Sequence, residues 1–525
     1  MRKRNLRLIA TSAALAVAVL GMGACSNNDS PSTKPSTGQT GEAAEAAVLT
    51  LGSTVVPQSW DPAQVGDANY KPYAQAAYDS LLRREPGGEY VPMLATAWEL
   101  SDDNKTLSLT LRDDVTFSDG APFNAEAVKA NFEHFAQANG PLAVQLAGFE
   151  SAEATDDTHV TVTFAEAIPD IVYNLSDAAG RMASPAALGD SKLETVPVGS
   201  GPYVMDESAT VQGSTYTLTA RDDYWAKDLQ KYGQVVFKIF ADETALVNAL
   251  KSGQVDAGNL SAADNVASVQ ADGMAVLHPE YHVSWWGLIM FDRSGALVPE
   301  LADVRVRQAM ACAIDRAALG SAVLGIDDGA LDTQVFSEAS PAYLPELTDY
   351  YSYDLDKAKS LMAQAGVTGF TLPMPSVTGL MIPAVTTGMS QQFAEIGITV
   401  EYTEVPITSY LDELMQGKWA VGYMVLGAVP TDWSVVQNYI TSSSPWNPLK
   451  DSAPELQGYI DAIPGQSDSE RTASYQAINR FMVENAWFEP WFWAEENYAV
   501  NEDVVQVELQ LEQNIPSIYN YSPVS

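Results

Sequence analysis

Leu107-Ser108-Leu109-Thr110-Leu111-Arg112-Asp113-Asp114-Val115-Thr116-Phe117-Ser118-Asp119-Gly120-Ala121-Pro122-Phe123-Asn124-Ala125-Glu126-Ala127-Val128 passes from a strand through a loop into a helix start. Leu107, Leu109 and Leu111 alternate with polar residues, the period-two pattern of a strand with one buried face. Asn124 is a good helix N-cap, because its side-chain oxygen can accept from an unsatisfied backbone N–H of the first turn. Phe123 can staple onto Val128, and Val128, Phe132 and Phe135 fall on one helical face. Just upstream, Ser101-Asp102-Asp103-Asn104-Lys105 lacks the glycine and distal glutamate of a calcium loop. It reads as a hairpin turn.

The same two periods recur outward from this block. Val48-Leu49-Thr50-Leu51-Gly52 reads as a strand that breaks at Pro57 and Trp60-Asp61-Pro62, and Val235–Phe240 as another. Asp242 caps a helix carrying Leu246, Ala249 and Leu250 and stopped by Gly253. A third helix is expected from Asp303 to Ala322, and a fourth from Asp354 through Leu361 and Ala365 to Gly366. Strands that alternate with helices give a mixed α/β protein. The chain has 525 residues, 46% of them hydrophobic, enough for two or three lobes. No repeat of the solenoid or propeller kind is present.

The N-terminal stretch has its own logic. Met1-Arg2-Lys3-Arg4-Asn5-Leu6-Arg7 precedes an apolar run from Leu8 to Met22, shorter than the roughly 20 residues of a membrane span, so residues 1–24 read as a secretory signal. The run ends in Leu20-Gly21-Met22-Gly23-Ala24-Cys25-Ser26, which resembles a bacterial lipobox with Met22 where leucine is usual. That resemblance makes Cys25 the lipid attachment site and the chain membrane-anchored rather than spanning; the alternative is a plain secretory signal in which Cys25 is lost. Residues 25–47 are rich in Ser, Asn, Pro, Thr, Gly and Glu and read as a disordered tether, with a reach of roughly 25 Å for about twenty residues. With Cys25 committed to lipid, Cys312 is the only other cysteine and no intramolecular disulfide can form. Its apolar helical surroundings point to burial.

Twenty-eight Lys and Arg against 67 Asp and Glu give a formal charge of −39. Such a surface disfavours nucleic acid, suits an exported soluble body, and attracts cations within a screening length of about 10 Å. Catalytic signatures are missing. No Gly-x-Ser-x-Gly and no His-Glu-x-x-His occurs, and Gly199-Ser200-Gly201-Pro202-Tyr203 lacks the Lys-Ser/Thr of a phosphate loop and reads as a tight inter-lobe turn. His278-Pro279-Glu280-Tyr281-His282 is strand-like, so its two histidines can share a side as a surface or hinge strand or as a two-histidine metal or haem contact. These patterns indicate a binding protein rather than an enzyme, with no cofactor.

Several stretches together resemble the peptide/nickel-binding family of ABC-importer solute-binding proteins, family 5, which includes oligopeptide- and dipeptide-binding lipoproteins. Val91-Pro92-Met93-Leu94-Ala95-Thr96-Ala97-Trp98-Glu99 and Leu111–Val128 match its signature block; Asp303–Met310 with Ala313-Ile314-Asp315-Arg316, and Tyr353–Lys359, match two further helices. The likeness runs from about Leu49 to Ser522. Two positions depart from it: Ser200 replaces a threonine, and Asp292 stands where an asparagine is common. The resemblance implies a two-lobed α/β periplasmic-binding-protein-like fold of type II. On that pattern lobe I takes residues 48–82, 195–285 and 490–525, an inserted subdomain of lobe I takes 83–194, and lobe II takes 286–489.

The resemblance also implies capture of a small ligand, best a short peptide, delivery to ABC-importer permease subunits, and a monomer on the outer face of the membrane. Nickel chelates, haem, opines and sugars are carried on the same fold, and an envelope signalling or chaperone lipoprotein, or an enzyme uncoupled from transport, is the alternative of another class. Peptide binders of the family pair the ligand's amino terminus with an aspartate in a loop similar to Gly427–Trp433, which nominates Asp432, although the family's Asp-Pro dipeptide is absent here; the alternative is an aspartate that caps the helix at Ser434 to Tyr439. Trp433, Tyr281, Trp285 and Trp286 are the aromatic candidates for the cleft wall. Adjacent strand residues face opposite ways, so Trp285 and Trp286 cannot both meet ligand. The run Trp487–Trp493 reads as packing on a returning crossover strand.

Overall fold

Three sheets organise the protein, seen in a computed structural model that describes residues 47–525 except 67, 102, 325–330, 378–379, 428, 512, 514 and 525. The signal stretch, Cys25 and the tether up to residue 46 lie outside the described residues. A seven-stranded sheet runs in the order Ala275–Leu277, Asn497–Val500, Ala257–Leu260, Val48–Ser53, Gln234–Ile239, Thr215–Ala220 and Tyr203–Met205. Val48–Ser53 lies parallel to both of its neighbours. Alternation in these strands feeds a core on one face through Leu49, Leu51, Tyr216, Leu218, Val235 and Phe237. A smaller core includes Leu246, Leu250 and Val269 of the helices Glu243–Lys251 and Ala263–Ala271.

The opening stretch folds as its pattern requires. Thr106–Leu111 is a strand in an antiparallel four-stranded sheet with Ala95–Leu100, His159–Phe164 and Phe149–Asp156. Leu107, Leu109 and Leu111 point into one core with Val160, Val162 and Phe164, and Val128, Phe132 and Phe135 of the helix Ala125–Ala138 pack into it. The Asn124 side chain accepts from the Ala127 N–H at 3.0 Å, closing the helix start. The chain returns from this subdomain through Gly199-Ser200-Gly201, so the motif is a close backbone crossing beside Ala77 rather than a turn between the large lobes. A Cβ on Gly199 would sit 2.2 Å from the Ala77 carbonyl oxygen.

The third sheet is antiparallel, with Ser284–Met290 between Val421–Gly427 and Phe488–Ala494. Its central strand feeds two cores by alternation: Leu288 and Met290 pack on one face, Trp285 and Ile289 on the other. Gly287 sits at an irregularity in the pairing, where a Cβ would meet the Glu489 carbonyl oxygen at 2.1 Å. A parallel pair, Phe370–Ser376 with Ile398–Glu404, completes the strands of this body.

The chain passes between the seven-stranded and three-stranded sheets twice, through residues 278–283 and 495–496. His278 Nδ1 lies 3.2 Å from Glu495, joining the two passages. Ser284, Trp285 and residues 490–494 therefore belong to the three-stranded sheet, a few residues off the boundaries expected from sequence. Two local expectations are corrected. His278–His282 is not a strand, because pairing stops at Leu277. The helix expected over 303–322 is two helices, Val304–Ala313 and Arg316–Leu324, since Ile314 is extended and the Asp315 carboxylate accepts from Ala318 N–H at 3.0 Å to cap the second.

Candidate functional site

A cavity of about 300 Å³ lies where the inserted subdomain meets the body of the three-stranded sheet. Pro169 and Asp170 come from the insertion; Ser340, Thr431, Asp432, Trp433, Arg471, Tyr475 and Trp493 are among the residues of the other wall. That volume is at the low end of small-ligand pockets. A second cavity, of about 100 Å³, is lined by residues of the first body, including Ser53, Asn69, Tyr73 and Asn259. Of the two, only the larger draws its lining from both the insertion and the body of the three-stranded sheet, which makes it the better candidate for a ligand site.

Local chemistry sets the wall at 431–435. Thr431 takes the N-cap of the short helix Asp432–Val435, its hydroxyl accepting from the Ser434 N–H at 3.0 Å. The cap is thus Thr431 and not Asp432. Asp432 lies at the cavity with the Ser340 hydroxyl donating to its Oδ1. Trp433 is buried and lines the same cavity. Trp493 closes the floor, its Nε1 donating to the Gln334 carbonyl at 3.0 Å, which holds the ring in place.

Asp170 reaches across the junction. Both Thr431 Oγ1 and Ser434 Oγ donate to its Oδ2, the second at 3.1 Å. Burial pushes this carboxyl up to about 6, while the Thr431 and Ser434 hydroxyls and the Arg471 charge act in the opposite direction. Arg471 pairs with the exposed Asp468 in the first turn of the helix Asp468–Glu484. Three carboxylates and one guanidinium line the cavity, so it favours positive charge.

Of the residues nominated from sequence, Asp432 and Trp433 come together here. Trp285 is fully buried in the core with its ring edge-on to Phe488, Trp286 packs on Phe492 at 5.9 Å from the opposite face, and half-buried Tyr281 sits on the first passage between the sheets. None of these three lines the cavity. Trp487–Trp493 is largely a packing strand, every residue of Phe488–Ala494 being buried, although Trp493 also faces the site. Sequence reasoning missed Asp170, whose contact with Thr431 spans 261 positions. Asp292 is fully buried and its carboxylate accepts from the N–H groups of Ala296, Leu297 and Val298, so it anchors a turn.

Cys312 is buried, and burial pushes its thiol up. Among the described residues, no three or more His, Cys, Asp or Glu side chains cluster in a way that could hold a metal ion, and no helix is long and apolar enough to cross a membrane.

Comparison with known proteins gives this geometry its context. Residues 89–448 match the model of bacterial extracellular solute-binding proteins, family 5 middle. The glutathione-binding protein GsiB of Pectobacterium atrosepticum is 27% identical over 384 residues, 69% of each chain. The nickel-binding periplasmic protein of Escherichia coli is 27% identical over 334 residues, covering 59% of this chain and 60% of that one. The ABC transporter-associated periplasmic binding protein DppA from Helicobacter pylori, solved with the peptide STSA, superposes with a TM-score of 0.74 over 91% of this chain and 98% of that one, at 20% identity. The last likeness is one of fold.

Proposed function

Because the chain belongs to the bacterial extracellular solute-binding proteins of family 5, we propose that it captures a short peptide between two closing lobes and hands it to the permease of an ABC importer. In this reading the body of the seven-stranded sheet with its insertion is lobe I, the body of the three-stranded sheet is lobe II, and residues 278–283 and 495–496 form the hinge. The cavity between the insertion and lobe II holds the ligand. Ligand contacts to both walls favour the closed arrangement, and that shift in population is the signal read by the transporter.

The observation that carries the peptide reading is Asp432 in a half-buried position on the cavity wall, beside Trp433 and Tyr475. A carboxylate withdrawn from water gains from a cationic partner, and a peptide's terminal ammonium supplies both charge and hydrogen-bond donors. The aromatic walls add apolar area at a low cost in side-chain entropy. A nickel chelate is the second reading, motivated by the nickel-binding relative; the cavity lining contains no histidine or cysteine, the donors such a ligand would most readily use, which favours the peptide.

Cys25 would carry the lipid that holds this body, as a monomer, at the outer face of the membrane. Isothermal titration of di- to pentapeptides into the compact unit Ala46–Ser525, with and without Asp432→Ala, tests the proposal. Loss of the charge-assisted bond should weaken binding by roughly 1.5–3 kcal/mol, about 10- to 150-fold; equal affinities would remove Asp432 from the site. Small-angle scattering on the same samples should show compaction when peptide is added.

A further inference from the structure

The peptide reading, on which this inference rests, assigns one of the cavity's three carboxylates. Asp432 takes the amino terminus and Asp468 is paired with Arg471, which leaves Asp170. Its Oδ2 accepts from Thr431 and Ser434 across the junction, while no hydrogen bond reaches Oδ1 among the described residues. The carboxyl is therefore fixed in position by lobe II, with one oxygen left for a ligand.

We infer that Asp170 is a second cation-binding carboxylate, so that the preferred ligand carries a positive group besides its amino terminus, as a short peptide with lysine or arginine beside the N-terminal position does. The hydroxyls of Thr431 and Ser434 are neutral donors and bring no charge of their own. Arg471 is the one cationic side chain of the lining; its charge offsets the burial of Asp170 in part, but its guanidinium makes its direct ion pair with Asp468. Asp432 and Tyr475 are the other titratable groups of the lining, and neither brings positive charge to Asp170. The carboxyl's rise to about 6 is the expected result of burying a charge with such partners. A ligand cation within about 4–6 Å would reverse it. The chain's charge of −39 adds long-range attraction for the same ligands. A linear diamine offers the same pair of ammonium groups and is the alternative source of that chemistry.

Isothermal titration of the unit Ala46–Ser525 with Ala-Ala, Ala-Lys, Ala-Glu and 1,5-diaminopentane, at pH 7.5 and pH 5, separates the outcomes. At pH 7.5 Ala-Lys should bind about tenfold tighter than Ala-Ala, or about 1.4 kcal/mol, with Ala-Glu weakest. That ratio should shrink at pH 5, where the free carboxyl is largely protonated. In Asp170→Asn, which keeps an acceptor for Thr431 and Ser434, the ratio should fall to about one at both pH values, with the melting temperature reporting an intact fold.

Equal binding of Ala-Lys and Ala-Ala by the wild type, or a preference that survives Asp170→Asn, would overturn this inference and leave the peptide reading standing. Binding of the diamine but not the dipeptides, abolished by Asp170→Asn, would uphold it while removing the peptide. Binding of neither would refute both.

Discussion

Asp292→Ala should open the turn that follows the central strand of lobe II, and the loss can be worked out group by group. Asp292 is fully buried, and its Oδ1 accepts from Ala296 N–H at 2.7 Å while Oδ2 accepts from Leu297 and Val298 at 2.6 and 2.7 Å. Truncation strands three backbone donors. At about 1 kcal/mol or slightly more for each N–H left without a partner, the body should lose about 3–4 kcal/mol. Asp292→Asn keeps a single acceptor oxygen, enough for one side of the fork, and should lose about half as much. Trp285, Trp487, Trp491 and Trp493 lie in the cores of this body and report its unfolding in urea by fluorescence. The midpoint should fall in the order wild type, Asn, Ala, with the slope unchanged. Both variants within about 0.5 kcal/mol of wild type would refute the claim that this carboxylate holds the turn.

Two further outcomes test other parts of the fold. Phe132→Ala removes a fully buried ring from the core of the inserted subdomain and should cost about 3–5 kcal/mol in denaturant unfolding. His134 lies 2.8 Å from the Asp61 carboxylate, which raises its proton affinity despite the opposing effect of burial. A group whose folded affinity is raised gives stability that is full below the unfolded value of about 6.5 and fades as pH climbs through the higher folded value. His134→Gln should therefore lower the melting temperature at pH 5.5 more than at pH 8.5; an equal loss at both would remove the charged pair as the cause.

What could be read from sequence follows the range of the interaction. The alternation of Leu107, Leu109 and Leu111 and the Asn124 cap are decided within a few residues, and both appear where the pattern puts them. Asp354 caps its helix through the Lys357 N–H and Gly366 ends it in the left-handed region, for the same reason. The break at Ile314 is also local, but apolar residues continue through it and hide the cap that Asp315 supplies. Trp285 and Trp286 show the next limit: alternation says that they oppose one another, yet the two cores on either side of the strand leave neither at the cavity. Asp170 was out of reach, because its significance comes from hydroxyls brought to it by closure of the whole chain. Asp432 was nominated through family resemblance, whereas its neighbour Thr431, which caps the helix and also contacts Asp170, had no distinguishing sequence signal.

The central claim is that this body holds a short peptide with its amine against Asp432. Native mass spectrometry of the unit Ala46–Ser525, purified from a peptide-rich host and then offered a mixture of di- to pentapeptides, tests it most directly. Retained masses that fit peptides and disappear in Asp432→Ala are the predicted result. A body that retains no peptide, or carries a metal or haem mass instead, would contradict it.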